Sequence, residues 1–203
     1  MKTPSAKTIR LLYDYEVGGG EAYYTKKLSR FTWPGLSSGP TIAIGIDCAY
    51  YSPEELAGLF SFLPHDHLRM VQGANGKTGQ AGKSYAQTLR QAGITVTWDQ
   101  AQEIFLDRTW PKFAALTDRV FPGADDLHPD AYGALVSLVF NRGTSLRGES
   151  RSEMRSIRDR VPSADYHGMA RDLRSMKRLW INKGADGLLR RRDAEAAQIE
   201  SCC

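Results

Sequence analysis

The sequence predicts a mostly helical α+β fold, with a small β-containing lobe and a larger helical lobe. Three observations predict it. A β-favouring run from Thr41 to Ile46 follows two turn clusters, Trp33-Pro34-Gly35 and Ser37-Ser38-Gly39-Pro40. From Thr97 onward, Trp98, Ala101, Ile104 and Phe105 recur at helical spacing and continue through Trp110 and Phe113. The stretch DAYGALVSLVFN at 130–141 is apolar on nearly every side yet too short to cross a membrane. Such a helix belongs in the middle of a globular core.

Length and composition agree with that reading. A chain of 203 residues, 41% hydrophobic and 25% charged, can bury one sizeable core. The expected layout is a single domain: a β-containing lobe at about 17–50, and a helical lobe at about 51–203 joined by a helix at 6–16. A formal charge of +4 suits an anionic polymer such as a cell wall and equally suits nucleic acid, unless so small an excess carries no meaning. The three cysteines, Cys48, Cys202 and Cys203, form no disulfide framework, and no metal-ligand spacing appears. The opening MKTPSAKTIR lacks an apolar core, so no signal peptide is expected.

Taken in order, residues 6–15 predict a first helix capped by Ser5, ended by Gly18, Gly19 and Gly20. That leaves Glu16 on its last turn. Ser52-Pro53-Glu54-Glu55 opens a helix running to about residue 63, with cap, proline and acids in the expected places. A short helix follows at 65–72, with His65 and His67 on the surface. The segment GANGKTGQAG at 73–82 lacks the glycine spacing of a phosphate loop and reads as a mobile connector. Pro111 should kink or restart the helix that begins near Thr97. Gly143 should end the buried helix, with further helices near 150–160, 163–179 and 188–200.

The candidate chemistry lies in EVGGGEAYYTKKLSRFTWPGLSSGPTIAIGID, residues 16–47. Cleaving a glycosidic bond needs a proton donor on the leaving oxygen and a second group that activates water. Glu16 follows an apolar and aromatic run, a setting suited to a proton donor. If 41–47 is one extended strand, Thr41, Ala43, Gly45 and Asp47 share a face. Small residues between Thr41 and Asp47 would leave room for a sugar. The residues alone equally allow Glu16 to be a solvated helix end, Thr41 a strand former and Asp47 a cap on the turn before Tyr50. Tyr23, Tyr24 and Trp33 offer flat faces for sugar rings, or form the small lobe's own core.

These segments resemble the phage-type lysozymes. The family pattern is a helix-terminal Glu, a Tyr, then Thr-Ile-Gly-x-Gly; here Glu16, Tyr23 and Thr41-Ile42-Ala43-Ile44-Gly45 stand in that order. SLVFNRGTSLRGESRSEMRSIR at 137–158 resembles the family's buried helix ending in Phe-Asn-x-Gly. RLWINKGADGLLRRRDAEAAQ at 178–198 resembles its closing Trp, Gly-Leu turn, Arg-Arg pair and Glu. Phage lysozymes place an Asp between the Glu and the Thr, whereas residues 17–40 hold no Asp and only Glu21 as an acid. In that respect the chain is closer to the pesticin-like lysozyme domains, whose Asp lies six residues after the Thr, the offset of Asp47.

The resemblance implies a lysozyme-like two-lobed fold that hydrolyses the β-1,4 link between N-acetylmuramic acid and N-acetylglucosamine, with inversion expected. Glu16 would be the general acid, Asp47 and Thr41 would position the attacking water, and Glu21 is the fallback for either acid. An arginine among Arg190, Arg191 and Arg192 would pair with the catalytic Glu, unless these form only a solvated basic face. Read from the residues themselves, Asn141 at the end of the buried helix is expected to bond backbone across the core, and Trp180 to be core. Neither metal nor organic cofactor is implied. The partner is the peptidoglycan glycan strand, with an immunity protein if the chain is an antibacterial toxin. Neither nucleic acid nor membrane insertion is expected, and the chain should be a monomer delivered to the wall by another system. A lytic transglycosylase, an inactive wall-binding module and, on basic charge alone, a nucleic-acid-binding protein are the competing readings.

Overall fold

The structure is a computed structural model describing residues 2–18 and 20–203. It divides into two compact units, Met1–Tyr15 with Thr109–Cys203, and Glu16–Arg108. Residues 51–108 thus group with the β-hairpin, whereas the sequence reading had placed them with the C-terminal helices. No helix of the described residues is long and apolar enough to cross a membrane.

The first unit is all helical. Helix α1 (Ala6–Glu16) starts as expected, with the Thr8 backbone N–H donating to Ser5 Oγ at 3.1 Å. It buries Thr8, Leu11 and Leu12, one face at i, i+3, i+4 spacing. Helix α8 (Pro129–Arg142) is the centre of the unit, buried without a break from Asp130 to Val139. Its start carries His128 as cap, proline in the first turn and Asp130 at the positive end of the dipole. It packs against α7 (Trp110–Val120) and α11 (Asp186–Glu200); α10 (Tyr166–Ser175) packs on α9 (Ser152–Arg160) and α11. Helix α1 approaches α8 at Gly133, where an added Cβ would fall 1.8 Å from Thr8 Oγ1. Glycine there lets the helices touch.

The second unit is smaller-boned. It contains α2 (Gly20–Lys27), strands β1 (Thr41–Ile42) and β2 (Ile46–Asp47), α3 (Pro53–Leu59), α4 (His65–Gln72), α5 (Gly79–Gln91) and α6 (Trp98–Ile104). Two capping boxes match the sequence: Ser52 with Glu55 opens α3, and Thr97 with Gln100 opens α6. Helix α3 stops at Leu59, one turn short of the expected end. A π-helical turn, Phe105–Thr109, precedes Pro111 in the first turn of α7. The interruption expected from a residue without an amide hydrogen therefore falls just ahead of it.

The β-containing lobe at 17–50 is small, as expected: each strand is two residues long, and an unanticipated helix, α2, occupies Gly20–Lys27. Two further expectations are corrected. The connector at 73–82 gives way at Gly79 to helix α5, which the sequence reading missed. Trp180, expected in the core, is half-buried with the Arg142 guanidinium 4.9 Å from its ring centroid. Of the three glycines after Glu16, Gly19 lies outside the described residues.

Candidate active site

Thr41 and Asp47 are brought together, though not by strand alternation. The run folds back on itself: β1 and β2 pair antiparallel, with Thr41 opposite Asp47 and Ile42 opposite Ile46. Directly opposed residues leave the same face of a hairpin, with Cβ atoms about 5 Å apart. The loop Ala43-Ile44-Gly45 makes the reversal, with φ of +57° at Ala43 and +74° at Gly45. The resembling motif has glycine where Ala43 stands. Its left-handed backbone explains that glycine, since a Cβ there costs roughly 1–2 kcal/mol. Ala43 is itself buried.

The hairpin is tied to the loop before it. Thr32 and Thr41 exchange backbone bonds of 2.8 and 2.9 Å. The Asp47 carboxylate accepts the Gly39 N–H on both oxygens, at 3.1 and 3.0 Å, and the Ala49 N–H on Oδ1 at 3.2 Å. Asp47 therefore also caps the short 3-10 turn Cys48–Tyr50, one of the roles its sequence position allowed. The Thr41 hydroxyl donates to the Gly39 carbonyl at 3.2 Å. Gly39 is the residue the sequence reading missed. A Cβ on it would meet Ala49 Cβ at 2.3 Å, Asp47 Oδ1 at 2.7 Å and the Lys77 carbonyl at 2.7 Å. The Ser-Ser-Gly-Pro signal marked a turn, yet held nothing to say that both Thr41 and Asp47 lean on it. Beside this cluster the Cys48 thiol is pushed far up, by burial first and by Asp47 second, so it is inert as a nucleophile.

Glu16 is the last residue of α1 and is half-buried. It belongs to the same unit as Thr41 and Asp47. Glu21 stands exposed in the first turn of α2 and lines a pocket of about 600 Å³ with Lys26, Arg30, Arg90 and Trp98.

Of the aromatic candidates, Tyr23 is 45% exposed. Tyr24 is fully buried, its hydroxyl donating to the Val96 carbonyl at 3.0 Å and its ring 5.2 Å from Trp98. It is core, and the expectation that it contacts sugar is corrected. Trp33 is half-buried, with Nε1 donating to the Ser38 carbonyl at 2.8 Å. It braces the turn ahead of Gly39 while part of its ring stays open.

The C-terminal basic cluster sorts by helix face. Arg190 is exposed; Arg191 and Arg192 are buried, and both reach Glu195 Oε1, at 3.2 and 2.7 Å. Spacings of four and three place all three side chains on one stripe of α11. Ser137 Oγ donates to the same oxygen at 2.6 Å, and Arg191 Nη2 donates to the Ser137 carbonyl at 3.2 Å. Burial pulls the Arg192 guanidinium pKa down against the opposing pull of Glu195. The Arg-Arg pair and Glu of the closing motif are thus one buried ionic cluster on α11, bonded to Ser137 of the central helix α8. The solvated-face alternative holds only for Arg190. Asn141, expected to bond across the core, is exposed at the end of α8. The adjacent Arg142 takes a bridging role, donating to the Ser150 carbonyl at 2.6 Å.

Comparison with the curated proteins finds no match to the chain. The family model described as phage lysozyme matches residues 71–195, well over half of the chain. That span includes α8 and the Arg191–Arg192–Glu195 cluster; Glu16, Thr41 and Asp47 precede it. The mostly helical architecture, the small hairpin and this match together place the chain in the phage lysozyme family, whose activity is lysozyme-type hydrolysis of peptidoglycan.

Proposed function

We propose that the chain is a muramidase cleaving the β-1,4 bond between N-acetylmuramic acid and N-acetylglucosamine, and that it serves as an antibacterial effector or endolysin domain. In this reading Glu16 protonates the leaving oxygen. Asp47 and Thr41 hold the attacking water, and the anomeric centre inverts. Tyr23 and the open part of Trp33 stack on sugar faces. The observation that carries the reading is the hairpin register, which sets Thr41 opposite Asp47 on one face. The six-residue step from Thr41 to Asp47 in the sequence also resembles the spacing of pesticin-like domains.

A transglycosylase reading is favoured by one fact: both Asp47 oxygens already accept backbone N–H bonds. An enzyme of that class needs only the Glu. Mass spectrometry of muropeptides released from purified peptidoglycan separates the two. The muramidase yields products with reducing N-acetylmuramic acid ends. Anhydro ends would replace it with the transglycosylase, and binding without release would leave only a wall-binding module.

A further inference from the structure

Outside the hairpin site, three metal-ligating side chains converge at one end of the helical unit. His128 caps α8, Asp130 lies in its first turn, and Cys202 follows the end of α11. One ligand atom from each lies within 4.8 Å of the other two. Cysteine spacing gave no hint of this, because folding rather than sequence proximity brings the three together.

We propose that His128, Asp130 and Cys202 form a Zn²⁺ site that clasps the turn after α11 to the N-terminal end of α8, with solvent in the fourth position.

The dimensions fit. Cys202 Sγ lies 3.3 Å from His128 Nδ1. In a tetrahedral zinc site with Zn–S about 2.3 Å and Zn–N about 2.05 Å, those two atoms stand roughly 3.6 Å apart. An imidazole, a carboxylate and a thiolate form a borderline set that suits zinc or cobalt over calcium or magnesium. The ligands are also held in place. The His128 backbone N–H donates to the Tyr166 hydroxyl at 3.1 Å, and Gln198 Nε2 donates to the Asp130 carbonyl at 2.8 Å. Asp130 is buried, Cys202 is half-buried and His128 is exposed, so an entry path opens on the imidazole side.

Two existing contacts are given up on binding, the Asp130 N–H bond to His128 and the bond of the Cys202 thiol to the Gln198 carbonyl at 3.4 Å. The Asp130 N–H now donates to His128 Nδ1 at 3.2 Å, and the metal takes that lone pair. Lys7 Nζ sits 3.4 Å from Asp130 Oδ2, leaving Oδ1 for the ion. The Cys202 thiol loses its proton to solvent as the zinc–sulfur bond forms. The site's charge then goes from that of one carboxylate to zero, one proton being released per ion. Cys203 is a separate case: its Sγ faces His167 Nδ1 at 3.9 Å and stands apart from the three-ligand group.

The test is titration of the reduced, metal-stripped, tag-free full chain with Co²⁺, then displacement by Zn²⁺. One equivalent should give a thiolate-to-cobalt charge-transfer band with tetrahedral visible absorption, and Zn²⁺ should raise the melting temperature. Cys202→Ser should abolish the charge-transfer band and weaken cobalt at least about tenfold, while Cys203→Ser and Cys48→Ser keep both signals. His128→Asn provides a second loss-of-site variant, because Asn removes the imidazole but is a favoured N-cap residue for the start of α8. The site is refuted by absence of the band in the wild type, by its persistence in Cys202→Ser, or by its loss in Cys203→Ser.

Discussion

Asp47→Asn separates a chemical role from a structural one. The carboxylate accepts the Gly39 N–H on both oxygens and the Ala49 N–H on Oδ1. An amide with its carbonyl in the Oδ1 position keeps the Ala49 bond and one of the Gly39 contacts. The amino group in place of Oδ2 cannot accept. The loss amounts to one charge-assisted bond at a half-buried position, about 1–2 kcal/mol. For a chain of this size that lowers the melting temperature by roughly 2–8 °C. Against a total stability of about 5–15 kcal/mol, the variant stays folded at 25 °C. Any large fall in rate there is therefore chemical. If Asp47 positions the water, reducing-end release from purified peptidoglycan should drop by about 10²–10⁴. Urea unfolding of the same preparation supplies the stability arm. Release within a few-fold of wild type would refute a catalytic Asp47. So would a loss of activity matched by a collapse in stability well beyond the single bond.

Other perturbations test the scaffold. Leu138 is fully buried in α8, so Leu138→Ala should cost about 2–5 kcal/mol in urea unfolding and leave the rate per folded molecule unchanged. Gly133→Ala reverses an ordinary rule. Alanine in a helix interior normally gains about 1 kcal/mol, but here the methyl would sit 1.8 Å from Thr8 Oγ1. Net destabilisation of about 1–3 kcal/mol is expected, and a stabilised variant would show that α1 and α8 are not in contact at that point. Glu200 forms a two-bond pair with Arg174, whose donation holds the carboxyl below its ordinary 4.5. A depressed folded value means the stabilisation is complete above 4.5 and disappears as pH falls through the folded value. The stability gap between wild type and Glu200→Gln should therefore close on acidification below 4.5. A gap independent of pH would contradict the pairing.

Much of the helical frame was legible because its signals are local. Ser52-Pro53-Glu54-Glu55 and Pro129 with Gly143 carry their own start or stop chemistry, and the structure uses them. The missed helices carry charges suited to their ends, but each begins in a glycine-rich stretch that reads as loop. Helix α2 follows a glycine run and buries only Tyr24, so it has no apolar stripe to read. Helix α5 begins inside a glycine-rich stretch; Gly82 is needed because a Cβ would fall 2.9 Å from Gly39 Cα, a long-range reason invisible along the chain. The candidate site was half legible. Alternation along one strand and opposition across a hairpin both put Thr41 and Asp47 on one face, so the pairing was anticipated for the wrong reason. The choice between them rests on the left-handed turn at Ala43 and Gly45 and on the bridge from Thr32 to Thr41. Asn141 misled because it lies two positions past Val139, where the buried stretch of α8 ends, and faces solvent.

The most direct test of the account is the release of reducing ends from purified peptidoglycan by Glu16→Gln, with folding checked by circular dichroism. Removal of the proton donor should abolish release while the helical spectrum stays that of wild type. A folded Glu16→Gln that still clears cell walls would place the acid elsewhere, with Glu21 the next residue to replace, and would contradict the assignment of Glu16.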